Sequence, residues 1–281
     1  MSDSITLVTH AALPGGAPDD LLLATALARE GLATRFAVWS DTAVDWATSP
    51  LTVVRSAWDY HRAPQAWRPW LARAGALTRL LNPPALLAWN TDKRYLRTLQ
   101  AAGVPCVPTQ FIEPGGAASG LRLWWADCIV KPAVAASAFG VRRFRGDGAL
   151  AEAQAHAREL ADYGAVLIQP YLPAVETAGE RSLVFIDGRF SHAFTKPAFS
   201  ANAVGRTAVQ PHLPSPADLA VAMHALAAAP QATLYARVDL VPHDGGMLLM
   251  ELELIEPDLA LRLHESAAPA LAQACARALG S

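Results

Sequence analysis

Two neighbouring segments near the end of the chain carry acidic side chains at strand spacing, beside one arginine. Side chains alternate along residues 249–255, so Glu251 and Glu253 share one face about 7 Å apart. Just upstream, Arg237 and Asp239 fall on a single face of a second alternating run. Because turn residues separate the two runs, the sequence predicts a β-hairpin that carries all four charged groups.

The register of this hairpin decides whether the acids meet. A loop with an odd number of residues, such as 244–246, places Asp239 opposite Glu251 and Arg237 opposite Glu253. An even loop would pair each acid with an apolar residue and bury charge without a partner, which is costly. We therefore predict the odd register, with three carboxylates converging on one exposed face.

Three carboxylates packed this closely need a cation, and an oxygen-only donor set favours Mg²⁺, with Mn²⁺ as an alternative. An isolated Glu-x-Glu strand is more often the solvated side of an edge strand. Here Arg237, Asp239 and the following Glu256-Pro257 favour a metal site instead.

Composition excludes several classes of partner. The 281 residues are 52% hydrophobic and 17% charged, with a formal net charge of -2, which provides no electrostatic surface for nucleic acid or an anionic membrane. No apolar run approaches the ~20 residues of a membrane span, and the first one, residues 5–8, is far too short for a signal-peptide core, so we expect a cytoplasmic protein with small-molecule partners. The three widely spaced cysteines fit reduced thiols. A homodimer is the prior expectation for the oligomeric state.

The first part of the chain reads as an open α/β unit over residues 1–88. Strands are predicted at 5–8, 35–39 and 51–54, and a helix at 21–30. Two prolines then mark a boundary before a helix at 93–102, which Asn90 or Thr91 would cap. No GxGxxG motif is present, so a dinucleotide-binding fold of the usual kind is not supported.

A polar and aromatic cluster follows the strand at 51–54, where an open α/β sheet normally keeps its ligand crevice. We interpret it as a substrate-side loop formed by Arg55, Trp58, Asp59, Tyr60 and His61. An ordinary surface loop anchored by its tryptophan is an equally good interpretation.

A second candidate site follows a strand at 127–131 that ends in Lys131. The next run, 133–140, consists of small residues with Ser137 and Gly140, and it could let the backbone approach a phosphate. The same run could instead be alanine-rich packing. It is not a Walker A loop, because GxxxxGK is absent.

An extended segment flanked by proline follows the next strand, at 165–169. Its unpaired backbone groups would suit an adenine edge, although a simple interdomain linker is the alternative. The segment comprises Gln169, Pro170, Tyr171 and Leu172.

A hairpin at 183–186 and 190–194 ends at a further lysine, Lys196. Residues 198–213 lack periodicity, so we predict a mobile segment whose cation, Arg206, could fold over a triphosphate. Helices are predicted at 216–229, 258–264 and 267–279.

The combined order of these motifs resembles the ATP-grasp superfamily of ATP-dependent ligases. The resemblance spans nearly the whole chain and depends on Lys93 at a helix start, Lys131-Pro132, Gln169-Pro-Tyr-Leu, Gly179-Glu180, Lys196, Arg237-Val-Asp239 and Glu251-Leu-Glu253. The nearest branch is the glutathione-synthetase-like group. Within it, RSAWDYH, WNTDKRYL, GERSLVFIDGRFSHAFTKP and ELELIEP are most similar to the ring-closing ligases of D-cycloserine biosynthesis, the O-ureido-serine cyclo-ligases.

This resemblance implies a mixed α/β and α+β fold. An N-terminal open α/β domain would precede an ATP-grasp region over 89–281. Two α+β subdomains, a lid at about 105–172 and a C-terminal one at about 173–281, would hold ATP between their sheets.

The resemblance also implies roles for individual residues. Lys93 and Lys131 would contact phosphates, the backbone of 169–172 would read adenine, and Glu176 would bind the ribose. The remaining assignments are Lys196 and Arg206 at the terminal phosphates or substrate, Arg237 at an acyl-phosphate oxyanion, and Asp239, Glu251 and Glu253 at Mg²⁺.

The implied activity is an ATP- and Mg²⁺-dependent ligase that activates an amino-acid-like carboxylate as an acyl phosphate for attack by nitrogen, with release of ADP and phosphate. Ring closure within one substrate, ligation of two substrates, and a non-catalytic nucleotide-binding regulator remain as alternatives. Two features depart from the family pattern. Asn commonly stands where this chain has Glu253, and the small-residue loop is poorer in glycine than usual.

Overall fold

The first sheet belongs to an open α/β unit. In this computed structural model, which describes residues 4–116, 124–197 and 209–280, four parallel strands have the order β2-β1-β3-β4. The strands are β1 (Ser4–Thr9), β2 (Ala33–Val38), β3 (Leu51–Ser56) and β4 (Arg79–Leu81). The helices around this sheet and its exit are α1 (Pro18–Arg29), α2 (Pro64–Leu77), α3 (Pro84–Asn90) and α4 (Tyr95–Ala101). Every residue of β3 is buried, as expected for a parallel sheet covered on both faces.

The predicted strands of this unit are confirmed, whereas α2, β4 and α3 were not predicted. Helix α1 begins at Pro18, earlier than expected, because proline suits the first helical position. Asp19 and Asp20 therefore lie in its first turn, and Asp20 accepts the Ala17 N–H at 2.9 Å. Similarly, Asn90 ends α3 and does not cap the next helix.

The second sheet is antiparallel, with the order β5-β8-β6-β7 and one helix against it. Its elements are β5 (Gln110–Ile112), β6 (Asp127–Pro132), β7 (Arg142–Arg145), α5 (Ala149–Ala161) and β8 (Val166–Pro170). The predicted strands at 127–131 and 165–169 are confirmed as β6 and β8, and β6 delivers Lys131 to its end as expected.

The third sheet is also antiparallel and has the order β11-β10-β9-β12-β13. Its elements, with the neighbouring helices, are α6 (Ala174–Thr177), β9 (Glu180–Ile186), β10 (Arg189–Lys196), β11 (Gln210–Pro211), α7 (Pro216–Ala227), β12 (Tyr235–His243), β13 (Gly246–Glu253) and α8 (Ala267–Leu279). The prediction of a helix at 258–264 is wrong, because only a short 3-10 turn forms at Leu261–Leu263. Most of the segment expected to be mobile, including Arg206, lies outside the described residues.

The β12–β13 hairpin has the predicted residue pairing, but its loop length differs from the prediction. Asp239 faces Glu251 and Arg237 faces Glu253, as expected. The loop is nevertheless even, because His243 pairs with Gly246. A bulge restores the register: Leu240 pairs with Leu249, so Met250 is the extra residue opposite the Asp239–Leu240 step.

One hydrophobic core joins the first and third sheets. Leu7 of β1, Val184 of β9 and Leu271 of α8 belong to the same buried cluster. The described helices include none that is long and apolar enough to cross a membrane. Cys106, Cys128 and Cys275 are free and buried, as predicted.

Candidate active site

The candidate site is a cleft between the second and third sheets, closed at one end by residues of the first unit. Its volume is about 330 Å³. Most of the residues predicted from the sequence line it: Trp58, Tyr60, Lys93, Lys131, Ser137, Gln169, Pro170, Tyr171, Leu172, Lys196, Arg237, Glu251 and Glu253. The chain contains three lysines, and all three lie in this cleft.

Arg237 and Asp239 form the buried centre of the charge network. The Arg237 guanidinium donates from Nε and Nη2 to the two Asp239 oxygens, each at 3.0 Å, and from Nη1 to the Asp258 carbonyl at 3.0 Å. Asp239 also accepts from Lys196 Nζ at 2.7 Å and from Ser182 Oγ at 2.6 Å. Burial would raise the pKa of Asp239, but Arg237 and Lys196 outweigh burial and hold the pKa well below its usual range. The expectation of an exposed face is wrong, since Asp239 is 2% and Arg237 6% exposed.

The two glutamates of β13 have different partners. Glu251 pairs with Lys93 at 3.0 Å, whereas Glu253 pairs with Arg237. Burial opposes ionisation of Glu251, but the charges of Lys93 and Lys131 lower its pKa. Burial raises the pKa of Glu253 to about 7, because Glu251 and Asp239 add repulsion that offsets Arg237.

The carboxylates do not form the three-membered metal cage expected from the sequence. Within residues 4–116, 124–197 and 209–280, no group of three or more His, Cys, Asp or Glu side chains is placed to hold a metal ion. Both oxygens of Asp239 instead accept hydrogen bonds from Lys196, Arg237 and Ser182. Glu251 and Glu253 do line the cleft, and two carboxylates fit Mg²⁺, which commonly takes its other ligands from phosphate and water.

The end of β6 contributes a lysine to the cleft, and the small-residue loop after it has an unusual backbone conformation. Within the described residues Lys131 has no ion-pair partner, and burial lowers its pKa. Ser137 (φ 52°) and Ala138 (φ 57°) adopt the left-handed conformation that normally favours glycine. Gly140 does not line the cleft; its carbonyl contacts His156 Nε2 at 2.9 Å instead.

The segment expected to read adenine runs along the cleft between apolar side chains. Ile129, Leu172 and Met250 all line this region, as a flat base would require. The backbone is less free than predicted, because Tyr171 N–H donates to the Asp127 carbonyl at 3.0 Å. The side chain of Gln169 donates to Thr109 Oγ1 at 2.9 Å.

Three members of the expected substrate loop do not line the cleft. Arg55 is 2% exposed and pairs with Asp20 at 3.2 Å, so it supports the fold rather than facing a ligand. Asp59 accepts the indole N–H of Trp39 at 2.6 Å, and His61 is buried. Trp58 and Tyr60 remain as the cleft-lining members of the loop.

Glu176 also lies away from the cleft lining, because its carboxylate pairs with Tyr171 Oη and with Arg143 at 3.2 Å. Arg206 lies outside the described residues.

The sequence interpretation missed several residues of the cleft. Glu180 pairs with Lys196 at 2.9 Å, and Glu256 and Asp258 extend the acidic run of β13 beyond the strand. Asn90 lines the cleft and contacts β13, where its side-chain amide donates to the Leu252 carbonyl at 2.8 Å. The Glu-Pro-Asp sequence after β13 was the available signal for Glu256 and Asp258. Asn90 had no such signal, since its partner is 162 positions away.

The cleft has lysines from strand ends on one side and the β12–β13 hairpin with its paired acids on the other, and an open α/β unit precedes both. This arrangement is that of the ATP-grasp ligases. The solved structure of D-alanine–D-alanine ligase from Bacillus anthracis complexed with ATP has this fold, with a TM-score of 0.67 at 14% identity over 99% of this chain and 97% of that chain. The crystal structure of D-cycloserine synthetase DcsG aligns with a TM-score of 0.89 at 32% identity, covering 98% of this chain and 99% of that one.

The sequence comparisons narrow the class to one family. Residues 5–82 match the family model described as D-cycloserine synthetase DcsG, N-terminal domain. The cycloserine biosynthesis protein DcsG of Streptomyces lavendulae is 34% identical over 268 residues, which cover 89% of this chain and 90% of that protein. The chain belongs to the DcsG family of ATP-grasp ligases and is a carbon–nitrogen ligase.

Proposed function

We propose that this ligase uses ATP to activate the carboxylate of an amino-acid-like substrate as an acyl phosphate, which a nitrogen of the same substrate then attacks to close a ring. D-Cycloserine formation from an O-ureido-serine substrate is the reaction that similarity to DcsG favours. ADP and phosphate are released on ring closure, and hydrolysis of the carbamoyl group on the ring nitrogen would release carbon dioxide and ammonia. The observation that supports this proposal most directly is that all three lysines, Arg237 and the two glutamates of β13 line one cleft.

The chemistry requires positioning and charge neutralisation rather than a protein nucleophile. A carboxylate is a poor electrophile until a phosphoryl group converts one oxygen into a leaving group, and phosphoryl transfer is catalysed mainly by positioning and electrostatics. Lys131 and Lys196 would bind phosphate oxygens, and Arg237 would stabilise the negative charge that develops on the attacked carbonyl. Asp239 fixes the plane of the Arg237 guanidinium through two parallel hydrogen bonds.

ATP would lie between the two sheets, with its base among the apolar residues Ile129, Leu172 and Met250. Glu251 and Glu253 would hold Mg²⁺, which supplies charge neutralisation at the phosphate oxygens. Lys93 would keep Glu251 oriented, since it donates to that carboxylate and to the Ala135 carbonyl at 2.6 Å.

Product analysis tests this proposal. Purified enzyme supplied with ATP, Mg²⁺ and O-ureido-serine should release ADP and a cyclic product, identified by mass, without an added amine. AMP and pyrophosphate as products would contradict acyl-phosphate chemistry. A strict requirement for a second amino acid would instead support two-substrate ligation.

A matched pair of variants ties the activity to this cleft. Glu251→Gln removes a charge that faces the cleft, and we expect turnover to fall roughly 100-fold. Glu265→Gln makes the same chemical change at an exposed position and should leave turnover unchanged. Equal rates for the two variants would refute the assignment of Glu251.

A further inference from the structure

Glu256 occupies the end of the cleft that the first unit closes. Glu256 lines the cleft and is 9% exposed. The Trp58 indole donates to the Glu256 carbonyl at 2.9 Å, so the residue is held against the loop that follows β3. Tyr60 lines the same end, and its pKa is raised by burial and then by the charge of Glu256. Glu256 therefore lies next to Trp58 and lines the same cleft as Tyr60.

The partners of Glu256 distinguish it from the other cleft carboxylates. The others have a cation within ion-pair distance: Lys196 for Glu180 and Asp239, Lys93 for Glu251, Arg237 for Glu253, and Arg262 for Asp258. Across the described parts of the chain, no such cation reaches Glu256. A buried carboxylate without a partner is costly. Burial, with repulsion from Glu253, correspondingly raises the pKa of Glu256 to about 8.

We propose that Glu256 binds the ammonium group of the amino-acid substrate, an inference that rests on the proposed function. An ammonium supplies the positive charge and the hydrogen-bond donors that the carboxylate lacks. The Trp58 side chain beside it provides an aromatic surface, which attracts the same group.

This placement gives the cleft two chemically different ends. Lys131 and Lys196 would bind the phosphates, whereas Glu256 and Trp58 would bind the ammonium group of the amino acid. An ammonium held at Glu256 would orient the substrate so that its carboxylate points away from that acid and toward Arg237. A substrate without the amino group would lose this orientation, and the enzyme would discriminate against it.

Two substrates and two variants test the assignment. The substrates are O-ureido-serine and its analogue in which hydrogen replaces the amino group. Wild-type enzyme should strongly prefer the amino substrate. Glu256→Gln, which keeps the shape of the side chain but removes its charge, should lower kcat/KM for the amino substrate roughly 100-fold and leave that for the analogue nearly unchanged. The KM for ATP should not move, and Glu265→Gln should behave as wild type in every assay.

The outcomes separate the two proposals. If the wild type makes product but Glu256→Gln loses activity equally on both substrates, or its KM for ATP rises, Glu256 has a structural role and the ammonium assignment is overturned while the ligase proposal stands. If the wild type makes product from neither compound, both proposals fall. Should the Gln variant not fold, Glu256→Asp, which withdraws the carboxylate by one methylene, should lower kcat/KM for the amino substrate more than for the analogue; an equal loss on both substrates would overturn the assignment.

Discussion

Replacing Lys131 should reduce the rate of catalysis without reducing the stability of the fold. Its ammonium lines the cleft and has no ion-pair partner among the described residues, while burial lowers its pKa. Replacing it with methionine removes a buried charge that makes no direct ion pair with the described residues, and it leaves an unbranched apolar side chain of similar length. We therefore expect Lys131→Met to unfold at the same urea concentration as wild type, or a slightly higher one.

Activity should respond very differently. Removing one group that stabilises developing charge typically lowers turnover by ~100-fold or more, which corresponds to about 2.7 kcal/mol of transition-state binding. The assay is ADP release under saturating ATP, with urea unfolding measured on the same preparation. Arg73→Met is the matched control, because Arg73 is exposed on α2 and arginine and methionine have similar helix propensities. Near-normal ADP release by Lys131→Met, or a large loss of stability without a specific loss of rate, would refute the reasoning.

Two further predictions concern stability. Asp218 is fully buried, accepts the Ser215 N–H in the capping box of α7 and pairs with Arg181 at 3.0 Å, so Asp218→Asn should cost about 3 kcal/mol at neutral pH in urea unfolding. Burial opposes ionisation of Asp218, but Ser215 and Arg181 lower its pKa in the folded state below the usual 3.8. The stabilisation is therefore present above about pH 4 and is lost as the pH falls through the folded pKa. A difference in unfolding free energy between wild type and variant that stayed constant down to pH 2 would contradict this. Tyr235 Oη lies 2.6 Å from the Val54 carbonyl and 2.7 Å from that of Ile255, so Tyr235→Phe should cost about 1.5 kcal/mol, and an unchanged thermal midpoint would argue against these hydrogen bonds.

The hairpin at the centre of the site illustrates what periodicity can and cannot predict. Alternation placed Arg237, Asp239 and the two glutamates on one face because strand geometry has a fixed period of two. The loop length was wrong, because Asp244 and Gly245 both adopt positive φ and form a two-residue turn. The bulge at Met250 that compensates has no glycine to mark it in the sequence. Charge burial, rather than turn chemistry, thus predicted the correct pairing.

The positions of Lys131 and Lys196 could be predicted from the local sequence, whereas the contacts of Arg55 could not. Lys131 and Lys196 each end a strand that enters the cleft, so chain position alone indicates where the side chain lies. Arg55 also follows the core of a strand, but its partners are Asp20 and the Pro257 carbonyl, 35 and 202 positions away. Local spacing contains no information about such partners. The same limit applies to α2, whose buried tryptophans pack mainly against one another and distant aromatic rings.

Every acid predicted to bind Mg²⁺ already has a protein partner in the cleft. Among the described residues, the cleft lining contains four cations, Lys93, Lys131, Lys196 and Arg237, and a larger number of carboxylates, namely Glu180, Glu251, Glu253, Glu256 and Asp258. The glutamate at 253, where the family pattern commonly has asparagine, adds one of these negative charges. A triphosphate entering this cleft would add further negative charge that the side chains alone do not neutralise. We therefore expect nucleotide binding here to depend on Mg²⁺ more steeply than it would with asparagine at this position.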